Sequence, residues 1–300
     1  MTIDDQHSFM KRRQDFESKY YDVIASDDDD ILKTITTVDI NTIDLCNRAC
    51  VFCPRHDPSV YPNRDLQMTK EGATIIALKL REIKFQGTIA ISGFGENLLN
   101  DEIVDIVDVL KVCNPKAFVE LNTNGDPLTS DLAHKLIHVG LDCININMYD
   151  GPKQVDRFDE VLKFVDPQKR KYRAHWNPDD HGIIFNNRSG LIRWIETDDD
   201  MASLNKRACY YPFYKLFVDW NGDVLFCAND WGRTRVIGNL LQQSIKDLWM
   251  SKEMRKVRLK LAKSSRDFKP CDTCNVNGTL LGKQSFDIMM RHYEDSGYGK

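Results

Sequence analysis

Seven of the chain's nine cysteines fall into two spaced sets, Cys46-x3-Cys50-x2-Cys53 and, later, Cys209, Cys227, Cys271 and Cys274, and this spacing constrains the fold more than any other feature. Nine is an odd number, and a reducing cytosol disfavours disulfides, so metal ligation is the first expectation. Three soft thiolates on one tight loop can hold three irons of a four-iron cluster and leave the fourth iron open. A structural zinc site would want a fourth ligand and is more often built from two CxxC-like knuckles. The later set reads as an all-cysteine zinc site at least as readily as a cluster, because both want tetrahedral thiolates. Of the two remaining cysteines, Cys113 ends an apolar helical segment and reads as a buried small hydrophobe.

Around these sets the chain alternates strand and helix. Short β-branched runs predict strands at Thr36–Ile43, Thr88–Ser92, Ala117–Asn122, Cys143–Met148 and Lys171–Trp176. Amphipathic segments lie between them: Thr69 can cap a helix through Ile83, and Glu102–Val112 and Lys153–Val165 have the same periodicity. The alternation implies a parallel sheet, open or curled into a barrel, with its chemistry at the carboxyl ends of the strands. After about residue 200 the rhythm breaks. Tyr214–Val218 and Asp223–Ala228 flank Trp220-Asn221-Gly222, a hairpin signal, and Ser244 opens a helix expected to run to Ala262. The expected organisation is an N-terminal arm over 1–33, an α/β domain over 34–200, a small second domain over 201–285 and a tail over 286–300. The arm, with a short helix around Phe9–Tyr21 and the acidic run Asp27–Asp30, reads as solvated.

Charge narrows the partner. The 41 basic and 45 acidic side chains are well mixed and sum to −4, so there is no broad footprint for a nucleic acid or an anionic membrane. No run of some 18 apolar residues predicts a membrane span, and the first residues lack the apolar stretch of a secretory signal. A cytoplasmic protein with a small-molecule substrate is expected.

CxxxCxxC with the aromatic Phe52 before its last cysteine, placed after the first strand of an α/β repeat, resembles the radical S-adenosylmethionine (SAM) superfamily. Ser92-Gly93-Phe94-Gly95-Glu96 after the second strand, Leu121-Asn122-Thr123-Asn124-Gly125 after the third and Asn145–Gly151 after the next agree with it, so the resemblance covers roughly residues 36–177. It implies a partial (β/α)6 barrel carrying a SAM-binding [4Fe–4S] cluster on Cys46, Cys50 and Cys53. Gly93 and Gly95 would let the backbone approach the methionine end of SAM, Glu96 would accept from its ammonium, Asn147 and Asn124 would lie near its polar end, and Phe52 would lie beside the adenine. This chain has Gly-Phe-Gly-Glu where many relatives have Gly-Gly-Glu. Joined to such a core, the later cysteines resemble the Twitch domain, a shortened SPASM module with one auxiliary [4Fe–4S] cluster, here a small α+β unit of hairpin plus helix. With all four ligands from protein, that cluster would have no open iron and would conduct electrons.

Strand parity places the substrate site. Cys143, Asn145, Asn147 and Tyr149 share one face of their strand; Glu120, Asn122 and Asn124 face inward from another, and Arg173 and His175 from a third. Tyr149 stands at the top, and Cys143 lies about 20 Å below it at 3.3 Å per residue. Arg173 and Arg188, the latter within Asn186–Gly190, are the expected substrate contacts. The one-auxiliary-cluster arrangement resembles that of radical SAM dehydrogenases of aminocyclitols, which implies two-electron oxidation of a secondary alcohol, with Arg188 steadying the oxygen and a flavodoxin or ferredoxin-type protein supplying electrons. A redox-neutral carbohydrate epimerase or lyase, a peptide-modifying maturase and a non-enzymatic zinc protein are the competing readings.

Overall fold

The structure, a computed structural model, describes residues 3, 6–24, 31–176, 185–195 and 207–298. Five parallel strands, β1 (Thr37–Ile40), β2 (Thr88–Ile91), β3 (Phe118–Thr123), β4 (Cys143–Met148) and β5 (Arg170–Ala174), alternate with helices α2 (Lys70–Glu82), α3 (Ile103–Cys113), α4 (Ser130–His138) and α5 (Lys153–Val161). The sheet continues past β1 through β6 (Lys215–Val218), β7 (Asp223–Leu225) and β8 (Val236–Asn239), in the order β5-β4-β3-β2-β1-β6-β7-β8. β6 pairs with β1 in parallel, Asp39 opposite Phe217, while β7 and β8 return antiparallel. The strands from both cysteine regions therefore form one hydrogen-bonded sheet.

Alternation along the strands separates the two faces. Val38, Ile40, Ile89, Ile91, Val119, Leu121, Ile144 and Ile146 are fully buried against the helices, where Ile76 and Leu80 of α2 and Ile106 and Leu110 of α3 complete one apolar core. The opposite face carries Asp39, Glu120, Asn122, Asn145, Asn147 and Arg173, as parity predicts. Thr69 caps α2 by accepting from Gly72 N at 3.2 Å, and Thr129 caps α4, a helix that the sequence reading did not mark.

Three sequence expectations are corrected. The N-terminal segment is not a solvated arm: α1 (Gln6–Ile24) lies across the polar face of the sheet, Arg13 pairs with Glu120, Phe16 meets Phe118 with ring centroids 5.7 Å apart, and Tyr20 and Tyr21 are buried. Its polar composition misled because the surface it covers is itself polar. The acidic run Asp27–Asp30 lies outside the described residues. The helix expected over 244–262 is two, α6 (Ile245–Trp249) and α7 (Lys252–Ala262), because Ser251 caps the second by accepting from Met254 N and so restarts it. The expected tail is largely helical: α8 (Lys283–Asp295) begins three residues before it, Met289 and Tyr293 enter the core, and Ser285 bonds Tyr21 of α1. Among the described residues no helix is long and apolar enough to cross a membrane.

Candidate active site

The loop after β1 is built to present three thiols. Asn63 holds it at two points, accepting from Cys46 N and donating to Cys46 O, each at 3.0 Å. Arg55, two residues past Cys53, donates to Asp44 at 2.7 Å, to Phe94 O at 2.6 Å and to Asn63 Oδ1 at 2.7 Å, so its buried guanidinium ties both ends of the loop to the turn after β2. Arg48, inside the loop, forks onto Asp126 and Asp150 at 2.6–2.8 Å, tethering it to the turns after β3 and β4. Sequence reasoning missed these clamps; an arginine within a cysteine loop facing aspartates in the neighbouring turns was the signal available.

Burial raises the Cys46 and Cys53 thiols and lifts Cys50 to about 11, with the other cysteines of the loop adding to the rise at Cys50. Thiols that resist ionisation together, on one loop, need a cationic centre to hold them as thiolates. Among the described residues no three His, Cys, Asp or Glu side chains close on a single-ion geometry. A cubane asks something different, because each thiolate binds its own iron. The donor set fits a three-cysteine cluster.

Glu96 is buried and accepts from Thr123 Oγ1 at 2.6 Å, Asn124 N at 2.7 Å and Leu98 N at 3.1 Å. No ion pair reaches it among the described residues, and burial holds its carboxyl above the usual range despite three donors. A buried carboxylate lacking a cation suits a ligand ammonium. The neighbouring glycines have another reason to be glycine than the one expected. A Cβ on Gly93 would lie 2.4 Å from Asn41 Cβ, and one on Gly95 would lie 2.2 Å from Ile43 O, so the turn is pressed against the segment after β1. Asn41 Oδ1 accepts from Phe94 N at 2.8 Å, which accommodates the phenylalanine inserted between the glycines. Asn124 donates to Asn47 Oδ1 at 2.8 Å, and Asn147 bonds His175 at 3.0 Å. Phe52 stacks on Phe185 at 4.5 Å and lies 5.8 Å from Tyr149 and His175.

The three loop cysteines and the six expected SAM contacts, Phe52, Gly93, Gly95, Glu96, Asn124 and Asn147, line one chamber of about 390 Å³ at the carboxyl ends of the strands. Arg173 and Arg188, from sequence positions far apart, both reach it, as do Phe9 and Arg13 of α1, which supply its floor and were not foreseen. The Phe9 ring lies 4.8 Å from the Arg173 guanidinium. Arg188 is held there by strained backbone: Arg188 and Ser189 have φ of 48° and 55°, followed by Gly190 at 85°. Its Nε is buried without a hydrogen-bond partner among the described residues, and burial lowers the pKa of the guanidinium. Cys113 and Cys143 do not line this chamber; Cys113 is half-buried at the end of α3, and Cys143 faces a second cavity beneath α1 with Glu120 and Asn145.

The later cysteines form the second set. Cys209 precedes the helical turn Tyr211–Tyr214, Cys227 follows β7, and Cys271 and Cys274 bracket a short 3-10 turn. Cys209, Cys271 and Cys274 are buried; desolvation and mutual repulsion raise Cys271 and Cys227, and desolvation lifts Cys209 to about 11. Gly278 closes the site, because a Cβ there would lie 2.2 Å from Cys209 Sγ. Four thiols brought together, three of them buried, fit a cluster closed by protein ligands. The Arg188 loop is bolted to this set: Asn187 N donates to Asn275 Oδ1 at 2.8 Å, Asn187 Nδ2 to Thr273 O at 2.5 Å, and Thr273 Oγ1 to Ser189 O at 2.9 Å.

Residues 40–174 match the Radical SAM superfamily, and residues 209–275 match SPASM, an iron–sulfur cluster-binding domain. The chain belongs to the radical SAM superfamily and carries a SPASM/Twitch-type domain, so SAM and [4Fe–4S] clusters are its cofactors and the zinc-protein reading falls. Along most of its length it is similar to the S-adenosyl-L-methionine-dependent 2-deoxy-scyllo-inosamine dehydrogenase of Niallia circulans, at 26% identity over 262 residues, 86% of this chain and 99% of that one. A GTP 3′,8-cyclase of Saccharophagus degradans is 26% identical over 138 residues, 45% of this chain and 39% of that protein. In fold the chain resembles the crystal structure of BtrN in complex with AdoMet and 2-DOIA, with a TM-score of 0.71 and 24% identity over 83% of this chain and 96% of that one. Native anSMEcpe with bound AdoMet gives a TM-score of 0.52 at 14% identity, over 87% of this chain and 97% of that one.

Proposed function

We propose that this enzyme oxidises a secondary alcohol of an aminocyclitol or related sugar to a ketone. The observation that carries the reading is the Asn186–Gly190 loop, which puts Arg188 in the SAM-side chamber while its neighbours bond the turn between two cysteines of the second set. Substrate and electron acceptor are thus held by one piece of backbone.

Cys46, Cys50 and Cys53 would hold the SAM-binding cluster, and Cys209, Cys227, Cys271 and Cys274 the auxiliary one. When bound, these groups supply a 5′-deoxyadenosyl radical that removes one hydrogen atom from carbon, and an acceptor for one electron. The chain's own residues do the rest. Glu96 receives the SAM ammonium, Asn124 and Asn147 line its polar end, Gly93 and Gly95 set the turn, and Phe52 lies along the adenine. Arg188 donates from its guanidinium to the substrate oxygen, stabilising the negative charge that gathers there as the hydroxyl proton leaves. Asp39, whose Oδ2 accepts from Lys215 Nζ at 2.8 Å, is the chamber carboxylate placed to take that proton. Tyr149, Arg173 and Phe9 wall the substrate from water and fix its ring. The balance is one hydrogen atom, one proton and one electron lost, leaving a ketone. A flavodoxin or ferredoxin-type protein of the cytoplasm supplies the reducing electron.

An epimerase would need a hydrogen-atom donor. Neither cysteine outside the two sets lines the chamber, which favours oxidation. The test is anaerobic turnover of 2-deoxy-scyllo-inosamine deuterated at its carbinol carbons. We expect one label in 5′-deoxyadenosine per turnover and a ketone, trapped by hydroxylamine, that is three mass units lighter than the labelled substrate because one deuterium and one hydroxyl proton are lost; a product isomeric with substrate would overturn the reading.

A further inference from the structure

Arg266 lies in the loop between α7 and the Cys271 turn, and its side chain is buried at 4% exposure. Neither Nε nor Nη2 has a hydrogen-bond partner among the described residues. The adjacent carboxylate, Asp267, does not serve it: Asp267 points outward, 71% exposed, and pairs with Lys260. Arg266 stands five residues before Cys271 in the same loop, buried, and its positive charge counters the burial that raises the Cys209 and Cys271 thiols. The loop is fixed on either side of it, with Phe268 packed against Phe226 at 6.2 Å and Arg235 Nε donating to Lys269 O at 3.1 Å. A buried guanidinium with idle donors is costly unless a counter-charge sits beside it.

A four-iron core of charge 2+ held by four thiolates is a dianion, and it becomes a trianion on gaining one electron. Beside such a charge the guanidinium of Arg266 would find both a counter-charge and acceptors for Nε and Nη2. We propose that Arg266 tunes the auxiliary cluster, stabilising the reduced form so that it can accept an electron from the substrate side. The acceptor role rests on the dehydrogenase reading; the tuning does not. In this step the substrate radical's O–H bond would break as its C=O bond is completed, the proton passing to Asp39 and one electron to the cluster, so that the radical is oxidised by one electron and the cluster reduced by one.

The experiment is a potentiometric titration of the full reconstituted protein followed by electron paramagnetic resonance, without substrate. A Cys46→Ala/Cys50→Ala/Cys53→Ala preparation run in parallel assigns the auxiliary signal. In Arg266→Gln the reduced-to-oxidised ratio of the auxiliary cluster at fixed potential should fall at least tenfold, about 59 mV for one electron. The SAM-binding cluster should not move. Arg266→Lys, which keeps the charge but loses the planar fork, should fall by a smaller factor of at least three. An unshifted auxiliary couple in Arg266→Gln with its iron retained overturns the proposal. If Arg266→Gln loses the auxiliary iron, Arg266→Lys decides, and an unshifted couple there overturns it equally. Because no turnover is measured, this result stands apart from whether the substrate is an aminocyclitol.

Discussion

Glu96 braces the turn after β2 and is proposed to receive the SAM ammonium, and a pair of substitutions separates the two roles. In Glu96→Gln the side chain keeps its shape but loses its charge and one acceptor. With its oxygen on the side of Thr123 Oγ1 and Leu98 N, the new amide faces Asn124 N, a donor against a donor where a 2.7 Å bond stood. The buried clash should cost about 1–3 kcal/mol of stability. Loss of the charge-assisted bond to the SAM ammonium should cost about 1.5–3 kcal/mol of binding, or about ten- to hundredfold in Kd. Thr123→Val is the control, removing one donor while leaving the carboxylate. Equilibrium dialysis of SAM against reconstituted protein, paired with thermal melts, reads both quantities. We expect Thr123→Val to lose stability and keep SAM, and Glu96→Gln to lose both. SAM affinity within twofold of wild type in a destabilised Glu96→Gln would refute the ammonium assignment and leave Glu96 as a brace. The pH dependence follows with a definite sign. Burial raises this carboxyl, so without a cation the folded state favours its proton, and the cost of ionising it grows as pH rises through the ordinary carboxylate range until the raised pKa is passed. A bound ammonium offsets that cost, so SAM affinity should fall as pH drops through the raised pKa.

Replacing Cys46, Cys50 and Cys53 by alanine should abolish 5′-deoxyadenosine formation and remove about half of roughly eight irons, measured by chromatography and iron assay; undiminished cleavage would reassign the site. Cys271→Ala/Cys274→Ala should spare reductive SAM cleavage and stop substrate turnover; loss of both with the fold intact would mean that the clusters are interdependent. Gly278→Ala places a methyl 2.2 Å from Cys209 Sγ and 3.1 Å from its Cα, an overpacking worth about 1–3 kcal/mol. It should lose auxiliary iron selectively, and full iron loading would show that the turn can give way.

The sheet was legible because alternation is a local code: Ile144, Ile146 and Met148 against Asn145 and Asn147 declare two faces without any knowledge of neighbours. The cysteine sets were legible because soft ligands at fixed spacing admit few chemistries. What stayed hidden depends on partners remote in sequence. Phe9 and Arg13 enter the chamber only because a polar helix meets a polar sheet face, an arrangement that hydrophobic periodicity does not register. Arg55 reads as one more surface charge until Asp44 and Phe94 O close around it. Gly95 is explained by a carbonyl fifty residues earlier in the chain rather than by a ligand. In each case the determining atom lies beyond the window over which pattern carries information.

The parallel pairing of β6 with β1 has a consequence for how the chain is made. β1 is synthesised early, yet the strand that covers one of its sides arrives some 175 residues later. Throughout that interval on the ribosome β1 is an open edge with unpaired amides and carbonyls, carrying the apolar Val38 and Ile40, the kind of edge that recruits foreign strands. The two cluster-bearing halves are therefore not cargo on separate carriers. A fragment ending before β6 would be an aggregation hazard, and in the finished protein the same strand pairing holds the two cysteine sets on one sheet.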